Sequence, residues 1–175
     1  MPHTLENKGR LNPEPLFTLE YLRVMLIHFL VMGSFGIYFF LPRFIRLTGG
    51  EEFIIGLTMG AAAVTSLLLR LPAGNWIDRF GRRRLVIGGL ALFVIACTMP
   101  VLAAGAGAYL FIARGVLGIA VVIYFTAIVT YMAEKAPPAR RAEAVAIYGA
   151  SGFIAQAISP YACEWLLENL PIEPV

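Results

Sequence analysis

The 175-residue sequence holds a single aspartate, Asp78, and it stands inside the densest run of arginines, Arg79, Arg82, Arg83 and Arg84. A carboxylate among guanidinium groups can hold them in a defined arrangement through charge-assisted hydrogen bonds. It can also sit against the positive end of a neighbouring helix. Gly74 and Gly81 bracket it, and glycine admits tight or positive-φ turns, so a short charged hairpin is expected over residues 74–84. A second charge, Arg114, lies in an otherwise apolar stretch, about six residues and about 9 Å into its segment if that segment is helical. An arginine inside a membrane span costs about 2.5–3.5 kcal/mol on insertion scales, so it is expected to face a cavity or a partner. Catalytic chemistry finds little material. The histidines are His3 and His28, and neither Cys97 nor Cys163 belongs to a CxxC or ligand-spaced set. No nucleophile–base pair and no metal set can be assembled from these residues. An enzyme is therefore not expected, and no metal or cofactor is implied.

The elements that carry these residues follow from composition. The chain is 59% hydrophobic and 14% charged, with a mean hydropathy of +0.76. Soluble domains are about a quarter charged, so too little polar surface exists here to cover a water-facing globule. The net charge of +3 is spread over short loops, which points to membrane topology and not to a nucleic-acid partner. Residues 1–18 are polar and read as a tail, and the apolar run after them is longer than a cleavable signal core. A helix needs about 20 residues to cross a hydrocarbon core about 30 Å thick. Five segments suffice, over about 20–41, 53–71, 85–104, 108–132 and 142–165. Pro42, Pro72 and the Gly105–Gly107 stretch are read as the stops of the first three.

Lys and Arg fix the expected orientation. Lys8, Arg10, Arg23, Arg79, Arg82, Arg83, Arg84, Lys135, Arg140 and Arg141 fall on one side, and Arg43 and Arg46 on the other. This asymmetry places the N-terminus in the cytoplasm. Gly56 with Gly60, and Gly149, Gly152, Ala155 and Ser159, are read as close helix contacts, since small residues let backbones approach in lipid. Tyr21, Met25, His28, Met32, Phe35 and Phe39 share a face of the first helix by their spacing. Tyr124 and Tyr131 share one of the fourth, and Gly152, Gln156 and Ser159 one of the fifth. His28, Tyr124 and Gln156 are the residues expected to line a solute cavity, and His28 is a group able to titrate near neutral pH.

The segment Gly74-Asn-Trp-Ile-Asp78-Arg79-Phe-Gly81-Arg82-Arg83 resembles the signature loop of the major facilitator superfamily, G-x-x-x-D-R-x-G-R-R/K, with every fixed position filled. Arg70-Leu-Pro72-Ala-Gly74 looks like its lead-in, and Pro137-Pro138-Ala-Arg140-Arg141 like the family's connector. Arg114-Gly-Val-Leu-Gly118 is similar to the R-x-x-q-G element of the fourth helix, with Leu117 in place of the usual polar residue. Around Pro160 the glycine-rich exporter element keeps its proline and loses most of its glycines. The resemblance implies an all-α integral membrane fold, the incomplete N-terminal helical bundle of a secondary transporter. It implies a gating role for Gly74, Asp78, Arg79, Gly81, Arg82 and Arg83, and a part in proton coupling for Arg114 and Gly118. A small organic solute and protons are the implied partners, in a bacterial inner membrane, with export favoured over uptake of a sugar or metabolite. Family members rock two six-helix halves about a mid-membrane site. About five helices are expected here, so the sequence is read as an N-terminal fragment that lacks its C-terminal half. A non-transporting membrane scaffold is the alternative for a truncated reading frame.

Overall fold

The computed structural model describes residues 15–103 and 107–169; the polar tail up to residue 14, the end of the third expected span at 104–106 and the last six residues lie outside this description. Six α-helices and no strand occur among the described residues. Helix α1 (Leu19–Ser34) starts at Thr18, whose hydroxyl accepts the Tyr21 amide at 3.2 Å, a side-chain cap for an otherwise orphan donor. It tightens into a 3₁₀ turn over Phe35–Phe39 and leads to the short α2 (Leu41–Leu47). The long helices α3 (Glu52–Phe80), α4 (Arg82–Thr98), α5 (Ala108–Lys135) and α6 (Arg141–Asn169) follow. Helix α4 is extended by a 3₁₀ turn over Met99–Leu102, and another, Pro138–Arg140, introduces α6.

Three of these elements are long and apolar enough to cross a membrane: Glu52–Phe80, Arg82–Leu102 and Ala108–Lys135. Their outer faces are apolar as well. Leu67, Leu68 and Leu71 on α3 are each at least 70% exposed. A helix apolar all round belongs in a core or in a bilayer, and these residues have no protein against them.

Two prolines expected to end helices do not. Helix α3 runs through Pro72 to Phe80, and Pro42 opens α2 instead of closing the first helix. Pro72 removes one backbone bond, to the Leu68 carbonyl, at a position where the α3 surface carries the exposed Leu67, Leu68 and Leu71. Prolines are tolerated in this way inside membrane helices, and Pro160 lies within α6 by the same rule.

Helix α5 lies at the centre. It packs along α3 and α4, while α6 lies along α1. Two glycines set these distances. A Cβ at Gly118 of α5 would stand 2.5 Å from the Ala62 carbonyl oxygen of α3, and one at Gly89 of α4 would stand 2.8 Å from the Tyr124 amide nitrogen of α5. Both are backbone neighbours, so only glycine fits. Gly56, Gly60 and Gly149 behave otherwise: a Cβ there meets nothing within 4 Å. The contact expected of the Gly56–Gly60 step is therefore not made among the described residues. Both glycines instead line an open apolar cleft of about 890 Å³ between α3 and α5. One apolar cluster gathers Tyr38, Ile45, Ile55, Phe93, Leu110 and Leu117; a second gathers Tyr21, Tyr124, Ile128, Met132, Ala144 and Tyr148.

Candidate functional site

The expected hairpin over 74–84 is almost all helix. Gly74 to Phe80 form the last two turns of α3, Arg82 opens α4, and Gly81 alone makes the turn, at φ 80° and ψ 149°. Gly74 is helical with open space beside it, so the turn role expected of it falls to Gly81. Asp78, Arg79, Arg83 and Arg84 are exposed. Among the described residues Asp78 takes part in no ion pair, and the expected clasp of arginines around it is not formed. Its position on the last turn of α3, followed by a one-residue turn into a new helix direction, accounts for this. Arg79 lies near the Phe80 ring, 5.6 Å from its centroid. Arg82 pairs with Glu134 at the far end of α5, tying the start of α4 to that helix. Glu134 was missed in the sequence; the acid–base pair Glu134-Lys135 at the end of an apolar segment is the signal that marks it.

The same end of the bundle carries further polar links. Glu20 of α1 accepts from Tyr131 and Lys135 of α5, and the Tyr21 hydroxyl donates to the Ala144 carbonyl of α6 at 2.9 Å. Arg140 forms a forked pair with Glu143 at 2.7 and 2.8 Å, and that carboxylate holds the guanidinium above its ordinary pKa. Tyr131 thus belongs to this end, away from Tyr124. They share a face of α5, but seven residues separate them by about 10 Å along the axis.

Arg114 is buried, as its position inside the fourth segment implies, with 9% of its surface exposed. Its Nη2 donates to the Met59 carbonyl of α3 at 3.2 Å, and its guanidinium carbon stands 4.9 Å from the centroid of the Tyr38 ring. The Tyr38 hydroxyl in turn donates to the Ala96 carbonyl at 2.5 Å. A cation over an aromatic face is favourable, by about 2 kcal/mol when desolvated. Among the described residues no carboxylate pairs with Arg114, and its Nε has no partner. Gly118 lies one turn further along α5, at the contact with Ala62, and its own carbonyl accepts from Ser66 at 3.0 Å.

Of the three residues expected to line a cavity, His28 and Gln156 share one, while Tyr124 is fully buried and touches His28 without lining it. His28 is 1% exposed. Its Nδ1 lies 3.3 Å from the Tyr124 hydroxyl and 2.6 Å from that of Tyr148, and its ring stacks on Tyr148 with centroids 3.9 Å apart. His28, Tyr148 and Gln156 line a cavity of about 410 Å³ between α1, α5 and α6, walled by Phe35, Phe125 and Phe153 among others. Tyr148 was not among the expected residues. It stands one turn before Gly152 on the face that carries Gly152, Gln156 and Ser159, and that spacing is how the sequence could have indicated it. Of the first-helix face, Tyr21, His28 and Met32 are buried, whereas Phe39 is 52% exposed. The 3₁₀ turn explains Phe39: three residues per turn instead of 3.6 rotate it off the α-helical face.

Comparison with known proteins places these features in a family. The family model described as "Major Facilitator Superfamily" matches residues 24–175. An uncharacterized transporter of Buchnera aphidicola subsp. Schizaphis graminum is 34% identical over 48% of this chain and 21% of its own length. Multidrug resistance protein 2 of Bacillus subtilis is 26% identical over 68% of this chain and 28% of its own. The human solute carrier family 2, facilitated glucose transporter member 10, is 31% identical over 69% of this chain and 21% of its own. The chain thus spans between a fifth and just over a quarter of the length of these relatives. With nearly all of its length matched and every fixed signature position filled, this chain belongs to the major facilitator superfamily of membrane transporters.

Proposed function

We propose that the chain forms part of a secondary transporter that exports a small organic solute across a bacterial inner membrane, driven by the proton gradient. In this reading α1, α3, α4, α5 and α6 are five spans, with the arginine-rich end cytoplasmic, and a second set of helices completes the carrier. The observation that carries it is the placement of the signature charges. Asp78 stands at the negative C-terminal end of α3, and Arg82, Arg83 and Arg84 stand at the positive N-terminal end of α4. Each such placement is unfavourable by about 0.3–1 kcal/mol. Glu134 offsets only Arg82. Charges kept where they weaken their own helices, and exposed, are suited to a partner outside these helices. Opposing helices that close the cytoplasmic side would supply it.

Arg114 supports a coupling role, because a buried cation without a carboxylate responds strongly to any charge brought near it. Export is supported by the relative named for multidrug resistance. The relative named a facilitated glucose transporter favours a second reading, uptake of a sugar.

Inside-out vesicles from cells expressing the gene test both. Under an imposed proton gradient, radiolabelled drugs, sugars and metabolites are followed into the lumen. At least one solute is expected to move only with the gradient. Asp78→Asn and Arg114→Met are each expected to abolish that movement while the protein stays in the membrane. Movement of no solute, or movement indifferent to both substitutions, refutes the proposal. Equilibration of sugars without a gradient selects the uptake reading.

A further inference from the structure

The cavity between α1, α5 and α6 has a chemistry of its own. Its volume of about 410 Å³ lies toward the small end of the ligand-pocket range of about 300–1,000 Å³. Three phenyl rings, Phe35, Phe125 and Phe153, wall it, and among the described residues no Asp, Glu, Lys or Arg lines it. An ion entering would exchange water for aromatic and aliphatic surface, at a cost of several kcal/mol without a partner. A flat apolar body suits it better, since aromatic rings favour offset or edge-to-face contact with one another.

The polar groups narrow the class further. Both phenol hydroxyls, of Tyr124 and Tyr148, stand by Nδ1 of His28. The single lone pair of a neutral imidazole nitrogen accepts from one of them, and where that nitrogen is Nδ1 the imidazole carries its proton on Nε2. No hydrogen bond reaches Nε2 among the described residues. It abuts Gly152, where even a methyl group would collide with it. An N–H donor without a protein acceptor, on a ring that lines the cavity, is a costly group to leave unsatisfied. Gln156 adds an amide on the same wall.

We propose that this cavity binds an uncharged, flat aromatic solute bearing one hydrogen-bond acceptor, which takes the Nε2–H of His28. Tyr148 acts as the positioning residue that keeps the proton on Nε2, and Gln156 is the second polar anchor. The proposal deepens the transport reading by naming the solute class, and binding and movement are measured separately.

Three probes of one shape decide it: quinoline (neutral, with an acceptor nitrogen), naphthalene (neutral, with none) and N-methylquinolinium (a fixed cation with none). The full chain is purified in detergent with ¹⁵N-labelled histidine and the His3→Gln substitution, so that the imidazole signals belong to His28. Quinoline is expected to shift the Nε2 resonance saturably, with a midpoint at least tenfold below that of naphthalene. N-methylquinolinium is expected to leave the resonance in place and to compete with neither. Tyr148→Phe is expected to reduce the preference for quinoline several-fold while naphthalene still binds, which shows that the pocket is intact. Equal midpoints for quinoline and naphthalene, competition by the cation, or no saturable shift with any probe overturns the proposal. Binding as expected without solute movement in vesicles leaves the pocket standing and removes the transport reading. Gradient-driven movement confined to cations does the reverse.

Discussion

Gly74 and Gly81 occupy equivalent places in the signature pattern but unlike places in the fold, and substituting alanine at each separates them. At Gly81 the backbone adopts φ 80° and ψ 149°, close to a region that is essentially glycine-only and costs about 1–3 kcal/mol for a residue with a Cβ. No neighbour lies within 4 Å of the added carbon, so the penalty is backbone strain alone. At Gly74 the backbone is helical and the space beside it is open. There alanine gains about 0.8–1 kcal/mol of helix propensity. The two variants should therefore differ by about 2–4 kcal/mol, from the sum of these opposite effects. For a chain of this size each kcal/mol moves the midpoint by about 2–4 °C. Circular dichroism at 222 nm of both variants in the same detergent, heated side by side, gives the separation. Gly81→Ala is expected to melt below the parent and Gly74→Ala at or above it. If the two melt together, or in the reverse order, the assignment of the turn to Gly81 alone is wrong.

A second pair tests the packing of α5 on α3. Gly118→Ala places a methyl group 2.5 Å from the Ala62 carbonyl and should cost about 1–3 kcal/mol by overpacking. Gly60→Ala meets open space and keeps the same propensity gain, so the difference in their unfolding free energies in a detergent titration isolates the clash. Arg82 and Glu134 are 40% and 43% exposed, so a double-mutant cycle to alanine should give a coupling of about 0–1 kcal/mol. That coupling should largely vanish when the salt is raised from 0.05 M to 1 M; a salt-independent coupling would mean the pair is desolvated.

Much of the fold was legible because lipid simplifies the code. Long apolar runs fix where helices lie, and residues 53–71 and 108–132 fall inside α3 and α5. Helix ends were harder to read. Proline removes one backbone bond and crowds the preceding turn, yet membrane helices tolerate it, and at Pro72 and Pro160 the helix continues. The cavity residues His28 and Gln156 were legible from helical spacing and polarity, whereas Tyr124, on the right face of α5, is buried behind His28. Tyr148 was hidden because a lone tyrosine at the start of an apolar segment looks like an interfacial anchor. Gly56 and Gly60 misled, since a small-residue step specifies that a backbone can approach and says nothing of whether one does.

The division between glycine contacts and polar contacts carries one further consequence. The close approaches at Gly118 and Gly89 lie between α5 and its neighbours α3 and α4, and those at Gly36 and Gly152 lie between the α1 segment and α6. Between these two groups the links are side chains: His28 with Tyr124, Glu20 with Tyr131 and Lys135, and Tyr38 with Arg114 and Ala96. At Gly118 and Gly89 the close neighbour is backbone, so the contact loosens only if the helices separate, whereas at Gly36 and Gly152 it is the side chains of Ser159, His28 and Met32. A tyrosine, histidine or arginine contact can be exchanged by rotamer change at a small cost. The packing of α5 on α3 and α4 is therefore fixed by backbone contact, while α1 and α6 join each other and the rest of the bundle through side chains, His28 among them.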